Sequence, residues 1–192
     1  QNSYKDYSII GLNGNNIQGK STTEISGYIK SDYFYDLEKK NSDIKTVEFY
    51  NSIFEKGNNS FLIENLVEKN KFNYDKNLVV SYNYIISDHA KVLGNEIYIN
   101  LNLNKRLLTL KSKENRKTPK EYSVEYLPKD IQISNDHISC SITYEIVHDQ
   151  ILYQHSILLK SLKLDVHAQN KTNLLIDQIE QNYKEVVVLQ KQ

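Results

Sequence analysis

The segment 77–88, NLVVSYNYIISD, constrains the fold most, because it places an apolar or aromatic side chain at every second position. These side chains are Leu78, Val80, Tyr82, Tyr84 and Ile86. Successive side chains of a β-strand point to opposite faces, so the alternation predicts a strand with one buried face. The segment 95–104, NEIYINLNLN, repeats the pattern with Ile97, Ile99, Leu101 and Leu103. Together the two segments predict an antiparallel sheet with one face packed and the other in water.

The first third of the chain predicts a hairpin followed by two helices. Asn13-Gly14 lies between two strand-like runs, and this dipeptide favours a type I′ turn. Gly27 then marks a break. The next two segments show helical spacing, first at Ile29, Tyr33 and Leu37 and then at Ile44, Val47, Tyr50 and Phe54. Ser42 or Asp43 can cap the second helix, and Gly57 can end it.

The last third predicts strands, a hairpin and one long helix. The segments 122–128 and 138–146 read as strands, and VHDQ, residues 147–150, predicts a tight turn into the run 150–164. A helix is predicted from a cap at Asp165, with Leu175, Ile179 and Tyr183 along one side. The final VVVLQK predicts a strand that returns into a sheet.

These patterns predict a β-rich α+β fold, in which antiparallel, sandwich-like sheets are combined with a few helices. The charged run KSKENRKTPK, residues 111–120, predicts a linker. The expected division is therefore a β-rich domain over 1–110, containing the hairpin and the two short helices, and a smaller antiparallel sheet with the C-terminal helix and strand over 121–192.

Composition excludes several classes of function. The chain of 192 residues has 24 basic and 24 acidic side chains, so no net field attracts nucleic acid or anionic lipid. No apolar run approaches the roughly 18–20 residues that cross a bilayer. A single cysteine excludes an intrachain disulfide and a multi-thiolate metal site. The chain begins at Gln1 and lacks Met, from which we expect a processed product or a fragment.

Cys140 is the one candidate nucleophile of its type. Under a period of two it shares a face with Ile138, Ile142 and Tyr144, where a thiol acts as a small apolar group. His137 is not directed at the sulfur by this geometry, and neither a helix N-terminus nor a cation that would lower the thiol pKa is evident. We therefore predict that Cys140 is buried and not catalytic.

The histidines and tyrosines suggest weaker alternatives. His148 and His155 could face each other across the predicted hairpin and hold a metal or a proton switch, although a surface pair is commoner. No pair among His89, His137, His148, His155 and His167 has the i, i+4 spacing of a helical metal site. The tyrosines of SDYFYD and VSYNYI could stack on sugars, or pack in the core as tyrosines do in strands. No catalytic, cofactor-binding or metal residue is assigned, and no cofactor is expected.

Several stretches resemble a known family. They are LNGNNIQGK with ISGY, GNEIYINLNL, NRKTP with Arg116 and Pro119, YSVEYLPKDIQISNDHISCSITYEI with Leu127 and Pro128, and NYKEVVVLQK. In this order they resemble the C-terminal accessory region that follows the transglutaminase-like core of bacterial multidomain proteins, a domain of unknown function. The resemblance spans nearly the whole chain. The family has about one more strand between the segments matching Pro119 and Tyr122, so residues 119–121 mark a departure.

The resemblance implies a non-catalytic structural or interaction module. The family's catalytic Cys, His and Asp lie in the upstream transglutaminase-like domain, which would be the partner of this chain, and Cys140 does not match them. It also implies an extracytoplasmic location, in the periplasm or cell envelope. The alternative is a β-sandwich module that binds a glycan or a peptide through exposed tyrosines or an open sheet edge.

Overall fold

The computed structural model describes residues 3–40, 42–103, 110–117, 121–148, 150–160 and 166–192. Its strands are β1 (Ser3–Asn13), β2 (Asn16–Ser26), β3 (Phe61–Lys69), β4 (Leu78–Ile86), β5 (Lys91–Leu93), β6 (Glu96–Asn100), β7 (Leu110–Lys117), β8 (Tyr122–Tyr126), β9 (Ile131–Ser134), β10 (Ile138–Val147), β11 (Gln150–Leu159) and β12 (Val186–Lys191). Its helices are α1 (Tyr28–Glu38), α2 (Asp43–Ile53) and α3 (Val166–Asn182). The β-rich α+β class predicted from the sequence is confirmed.

The described strands form two sheets. The larger has eight strands in the order β3-β4-β2-β1-β7-β11-β10-β9, and the smaller has four in the order β5-β6-β12-β8. Neighbouring strands are antiparallel except β1 and β7, which run parallel with Tyr4 opposite Leu110 and Ile10 opposite Arg116. The long strands β4, β10 and β11 and the returning strand β12 lie where strands are predicted from the sequence. The predicted C-terminal helix is confirmed as α3, while its predicted cap, Asp165, lies outside the described residues.

The predicted β1–β2 hairpin is present, but its turn is one residue later than expected. Asn13 pairs with Asn16, so Gly14 and Asn15 are the two central residues. Gly14 has a φ of 62°, whereas Asn15 is not among the residues with positive φ. A positive φ at the first central position alone is typical of a type II′ turn with glycine there. The prediction of a type I′ turn at Asn13-Gly14 is therefore wrong.

The linker predicted at 111–120 is wrong for residues 111–117, which belong to β7. This strand pairs with β1 on one side and with β11 on the other, so it lies inside the larger sheet. Ladders form through backbone N–H and C=O groups, and a charged composition does not remove them. Residues 118–120 lie outside the described residues. Strands from both sides of the predicted boundary share each sheet, so the sheets do not divide at residue 110.

One face of the larger sheet, here called the inner face, packs in the core, and the opposite, outer face is in contact with solvent. In β1 the inner face contains Tyr4, Asp6, Ser8 and Ile10, and the outer face contains Lys5, Tyr7 and Ile9. A single core cluster joins the inner face to both helices α1 and α2, to α3 and to the smaller sheet. Its members include Ile25, Phe34, Tyr50, Leu103, Ile142, Ile179 and Val187.

The helix faces differ in part from the predicted ones. In α1 the buried side chains are Lys30, Phe34 and Leu37, while the expected Ile29 and Tyr33 lie at the margin of the core. Ser42 caps α2 as predicted, because its side chain accepts a hydrogen bond from the backbone N–H of Lys45 at 3.3 Å. The other predictions for α2 are confirmed at some positions only. Tyr50 and Phe54 are buried, Ile44 is exposed, and the helix ends at Ile53 instead of Gly57.

Candidate functional site

Cys140 lies in the core, as predicted. Its side chain is 2 % exposed, between Ile138 and Ile142 on the inner face of β10. Burial raises the pKa of the thiol to about 11. The group is therefore a neutral thiol at pH 7, closed to solvent, and it has neither of the properties that make a cysteine reactive.

His155 is the histidine closest to Cys140 in the register of the sheet. Cys140 pairs with Ile157 and Ile142 pairs with His155, so the two side chains are diagonal neighbours on the inner face. The Nε2 atom of His155 lies 2.8 Å from the hydroxyl of Tyr183, and Nδ1 has no hydrogen-bond partner among the described residues. Burial lowers the pKa of His155 to about 4. The imidazole is thus neutral at pH 7 and bonded to tyrosine, not to the thiol.

His148 and His155 do not face each other across the hairpin, so neither alternative, a shared metal or proton-switch site or a surface pair, is formed. His148 is exposed in the β10–β11 turn with a φ of 57°, whereas His155 lies opposite Ile142, well inside the hairpin. His89 contacts the carbonyl of Asn100 at 3.0 Å through Nε2, and the side chain of His167 lies outside the described residues. In the part of the chain that the structure describes, no three His, Cys, Asp or Glu side chains are grouped as metal ligands.

A buried ion-pair cluster lies on the inner face of β1 and β2. Lys56, which follows α2, binds the carboxylate of Asp6, and both side chains are almost completely buried. Thr23 donates a hydrogen bond to Asp6 at 2.9 Å, and the hydroxyl of Ser8 contacts Asp6, Ser21 and Lys56. A lysine beside a serine could activate a nucleophile. Here both groups are closed to solvent, so no substrate reaches them.

A second lysine, Lys30, holds the segment before β4. Its ammonium group donates to the carbonyl oxygens of Asn73, Tyr74 and Lys76 at 3.4, 2.6 and 3.0 Å. Three carbonyl oxygens are a suitable set of partners for a buried ammonium. Lys30 therefore fixes the loop 70–77 to α1 and is a structural group.

An open hollow of about 430 Å³ lies on the outer face of the larger sheet. Its side chains come from four adjacent strands, β1, β2, β4 and β3. They are Ile9, Gln18, Lys20, Glu64, Asn83 and Ile85, with Gly11 opening one side. Volumes of 300–1,000 Å³ with an apolar lining and a few polar groups are typical of ligand sites. This hollow is the candidate functional site.

Gly11 keeps one side of the hollow open. A Cβ atom placed at Gly11 would meet only the carbonyl oxygen of Gln18, at 3.9 Å. Gly19 has a different role, because a Cβ there would lie 2.2 Å from Cζ of Tyr84. Gly19 thus admits the Tyr84 ring on the inner face, while Gly11 leaves space on the outer face.

The tyrosines predicted as a sugar platform are divided between the core and the surface. Tyr82 and Tyr84 are buried on the inner face and Tyr33 packs at the margin of the core, so none of these three is a platform. Tyr35 is exposed, but Lys39 lies over its ring at 3.6 Å from the centroid. Tyr7 is 46 % exposed and lies beside the hollow on the outer face of β1, two residues before Ile9.

Neither the buried ion-pair cluster nor the hollow is predicted from the sequence. Asp6 and Ser8 alternate with exposed residues in β1, as Ser21 and Thr23 do in β2, so a polar inner face was visible as a pattern. The hollow has no linear signal, because its side chains come from four separate strands. No family model, curated protein or solved structure matches this chain. No helix among the described residues has the length and apolar character that a membrane span needs.

Proposed function

We propose that this chain is a non-catalytic interaction module and that it binds its ligand in the hollow on the outer face of the larger sheet. The observation that supports this proposal most is the contrast between two sets of polar groups. Cys140, His155, Lys56 and Asp6 are each 2 % exposed or less. The polar side chains of the hollow instead face solvent.

The states of the buried groups favour binding over catalysis. A nucleophile must be deprotonated or lie against a base, and Cys140 has a raised pKa and no hydrogen bond to His155 in the described residues. Asp6 and Lys56 neutralise each other and are enclosed by Ser8, Ser21 and Thr23. These groups stabilise the core, and the hollow is left for recognition.

The resemblance to the region that follows a transglutaminase-like core adds a context to this proposal. In that context the module is attached to an upstream enzyme domain in the periplasm or cell envelope. It would present a substrate or a surface ligand to that domain, while the bond-making residues belong to the domain itself. The motif series around Arg116, Leu127 and Pro128 supports this part of the proposal.

Two measurements on the isolated chain test the proposal. The first is ammonia release or cross-linking with peptide amide substrates, for which we expect no activity above buffer. The second is a binding screen against immobilised glycans and peptides, for which we expect a saturable signal that Gly11→Val weakens, because the branched side chain projects into the hollow. Ser141→Val, on the outer face of β10, is the matched control and should bind normally. Turnover by the chain alone, or binding that is unaffected by Gly11→Val, would contradict the proposal.

A further inference from the structure

The side chains of the hollow form two rows across the strands. Ile9 pairs with Lys20, Lys20 with Asn83 and Asn83 with Glu64, which gives the first row from β1 to β3. The second row starts at Gly11, which pairs with Gln18, and Gln18 pairs with Ile85. The rows are two residues apart along each strand, roughly 7 Å. The hollow is therefore a shallow trough lined by apolar and polar side chains, here called the trough.

The four polar side chains of the trough have no internal partners in the described part of the chain. Neither Lys20 nor Glu64 takes part in an ion pair there, and the amides of Gln18 and Asn83 donate or accept no side-chain hydrogen bond there. Lysine only donates, a carboxylate only accepts, and the two amides do both. A ligand in the trough thus meets donors and acceptors in similar number.

The charge of the trough is balanced. Lys20 and Glu64 lie in the same row on either side of Asn83. Their Cα atoms are about 10 Å apart at the usual strand spacing. One positive and one negative group give no net attraction for an anion or a cation. This balance favours a ligand without net charge that has groups able both to donate and to accept hydrogen bonds.

We propose that the trough binds an uncharged saccharide, an inference that rests on the proposed function of the hollow as a binding site. Sugar hydroxyls can accept from Lys20 and donate to Glu64, and neighbouring hydroxyls can pair with the amide of Asn83 or Gln18. The C–H faces of the sugar rings then pack against Ile9 and Ile85. Tyr7, two residues before Ile9 on the same face, extends this apolar surface for the next ring.

The position of the trough disfavours a peptide. Peptides are commonly recognised by adding a strand to an open sheet edge, where backbone groups are unpaired. The trough lies over β1, β2 and β4, each paired on both sides, and only Glu64 belongs to the edge strand β3. The backbone in the trough is therefore used by the sheet, and recognition depends on side chains alone.

Amide chemical shifts of the ¹⁵N-labelled chain test the inference. The probes are uncharged tetrasaccharides of α-1,4-glucose, β-1,4-glucose and β-1,4-N-acetylglucosamine, and a capped uncharged tetrapeptide, each at about 10 mM to reveal weak binding. We expect at least one saccharide to shift residues 9–11, 18–20 and 83–85 in a saturable way. Glu64→Gln and Lys20→Met should each weaken this binding about tenfold, as for loss of one charge-assisted hydrogen bond. Lys5→Met, exposed on β1 outside the trough, is the control and should bind normally.

The outcomes separate the two proposals. Shifts in the trough with the peptide but with none of the saccharides would overturn the saccharide assignment and leave the binding function of the hollow in place. Saccharide shifts confined to other surfaces, or no shift in the trough with any probe, would overturn both. Saccharide binding that Glu64→Gln and Lys20→Met leave unchanged would overturn the assigned contacts and with them the inference.

Discussion

Lys56 and Asp6 form an ion pair whose two side chains are 1 % and 0 % exposed. Removal of one partner would leave a charge in the core without compensation. We therefore expect Lys56→Met to lower the free energy of unfolding by about 3–5 kcal/mol, as for other buried pairs. Urea denaturation at pH 7 measures this change. The control is Lys191→Met, which breaks the exposed pair with Glu121 and should change stability by less than about 1 kcal/mol. Equal effects of the two substitutions would contradict the buried geometry.

The burial of Cys140 predicts a thiol that reacts only when the chain opens. With a raised pKa of about 11 and 2 % exposure, native Cys140 should resist an aromatic disulfide reagent at pH 7, while the urea-unfolded chain reacts at once. The labelling rate of the native chain should follow its unfolding equilibrium as urea is added. Complete labelling within the mixing time in native buffer would show that the thiol is accessible, and would reopen the question of catalysis.

Because His155 is buried, we expect the folded chain to lose stability in mild acid. Its pKa is about 4 in the folded chain and 6.5 in the reference state, so between these values the unfolded chain binds more protons. Stability from this group is complete above pH 6.5 and is lost as the pH falls toward 4. We expect about 2 kcal/mol less stability at pH 5 than at pH 7 from His155 alone. Urea midpoints of the native chain and of His155→Gln should diverge accordingly. A variant that keeps the full pH dependence would assign it to other groups.

Gly11 and Gly19 form a matched pair for substitution, because they lie on opposite faces of the same hairpin. Gly19→Ala would force the buried ring of Tyr84 to move, and should cost about 1–3 kcal/mol. Gly11→Ala meets no close atom and should be neutral or stabilise by about 0.5–1 kcal/mol, since alanine restricts the unfolded chain. Thermal unfolding of the two variants distinguishes them. Similar melting temperatures would show that Tyr84 does not pack on Gly19.

We expect Lys30 to keep the loop 70–77 ordered. When Lys30→Met removes the three hydrogen bonds from its ammonium group, the carbonyls of Asn73, Tyr74 and Lys76 lose their partner. Amide hydrogen exchange in this loop should then become at least about tenfold faster, which corresponds to about 1.4 kcal/mol of local stability. Lys39→Met, just beyond the end of α1, is the control. Unchanged exchange in the Lys30 variant would mean that other contacts hold the loop.

The sequence predicts correctly those helices and strands whose pattern depends only on residues that are neighbours in the chain. It does not predict elements that depend on distant partners. The alternation in β4 and the spacing in α3 depend on neighbouring residues only, and both elements lie as predicted. The strand β7 is charged and has no apolar periodicity, so its place between β1 and β11 depends on partners far away in the chain. Its prediction as a linker failed for that reason.

The hollow could not be predicted because it depends on the register of β1 and β2, that is, on which residues lie opposite each other. A turn centred on Asn13-Gly14 would place Ile9 opposite Gln18 and Gly11 opposite Asn16. The actual turn at Gly14-Asn15 places Ile9 opposite Lys20 and Gly11 opposite Gln18. The faces of the strands are the same in both registers, but the rows across the sheet are not. An error of one residue in the turn therefore removes the site without altering the predicted fold.

The parallel pairing of β1 with β7 has a consequence for synthesis of the chain. During synthesis, β1 cannot pair with β7 until Leu110, the partner of Tyr4, has been made. At the usual translation rates of about 5–20 residues per second, the gap is several seconds or more. During that interval the nascent hairpin has an open edge that can pair with another chain. The edge of β1 is therefore closed only once β7 has been made.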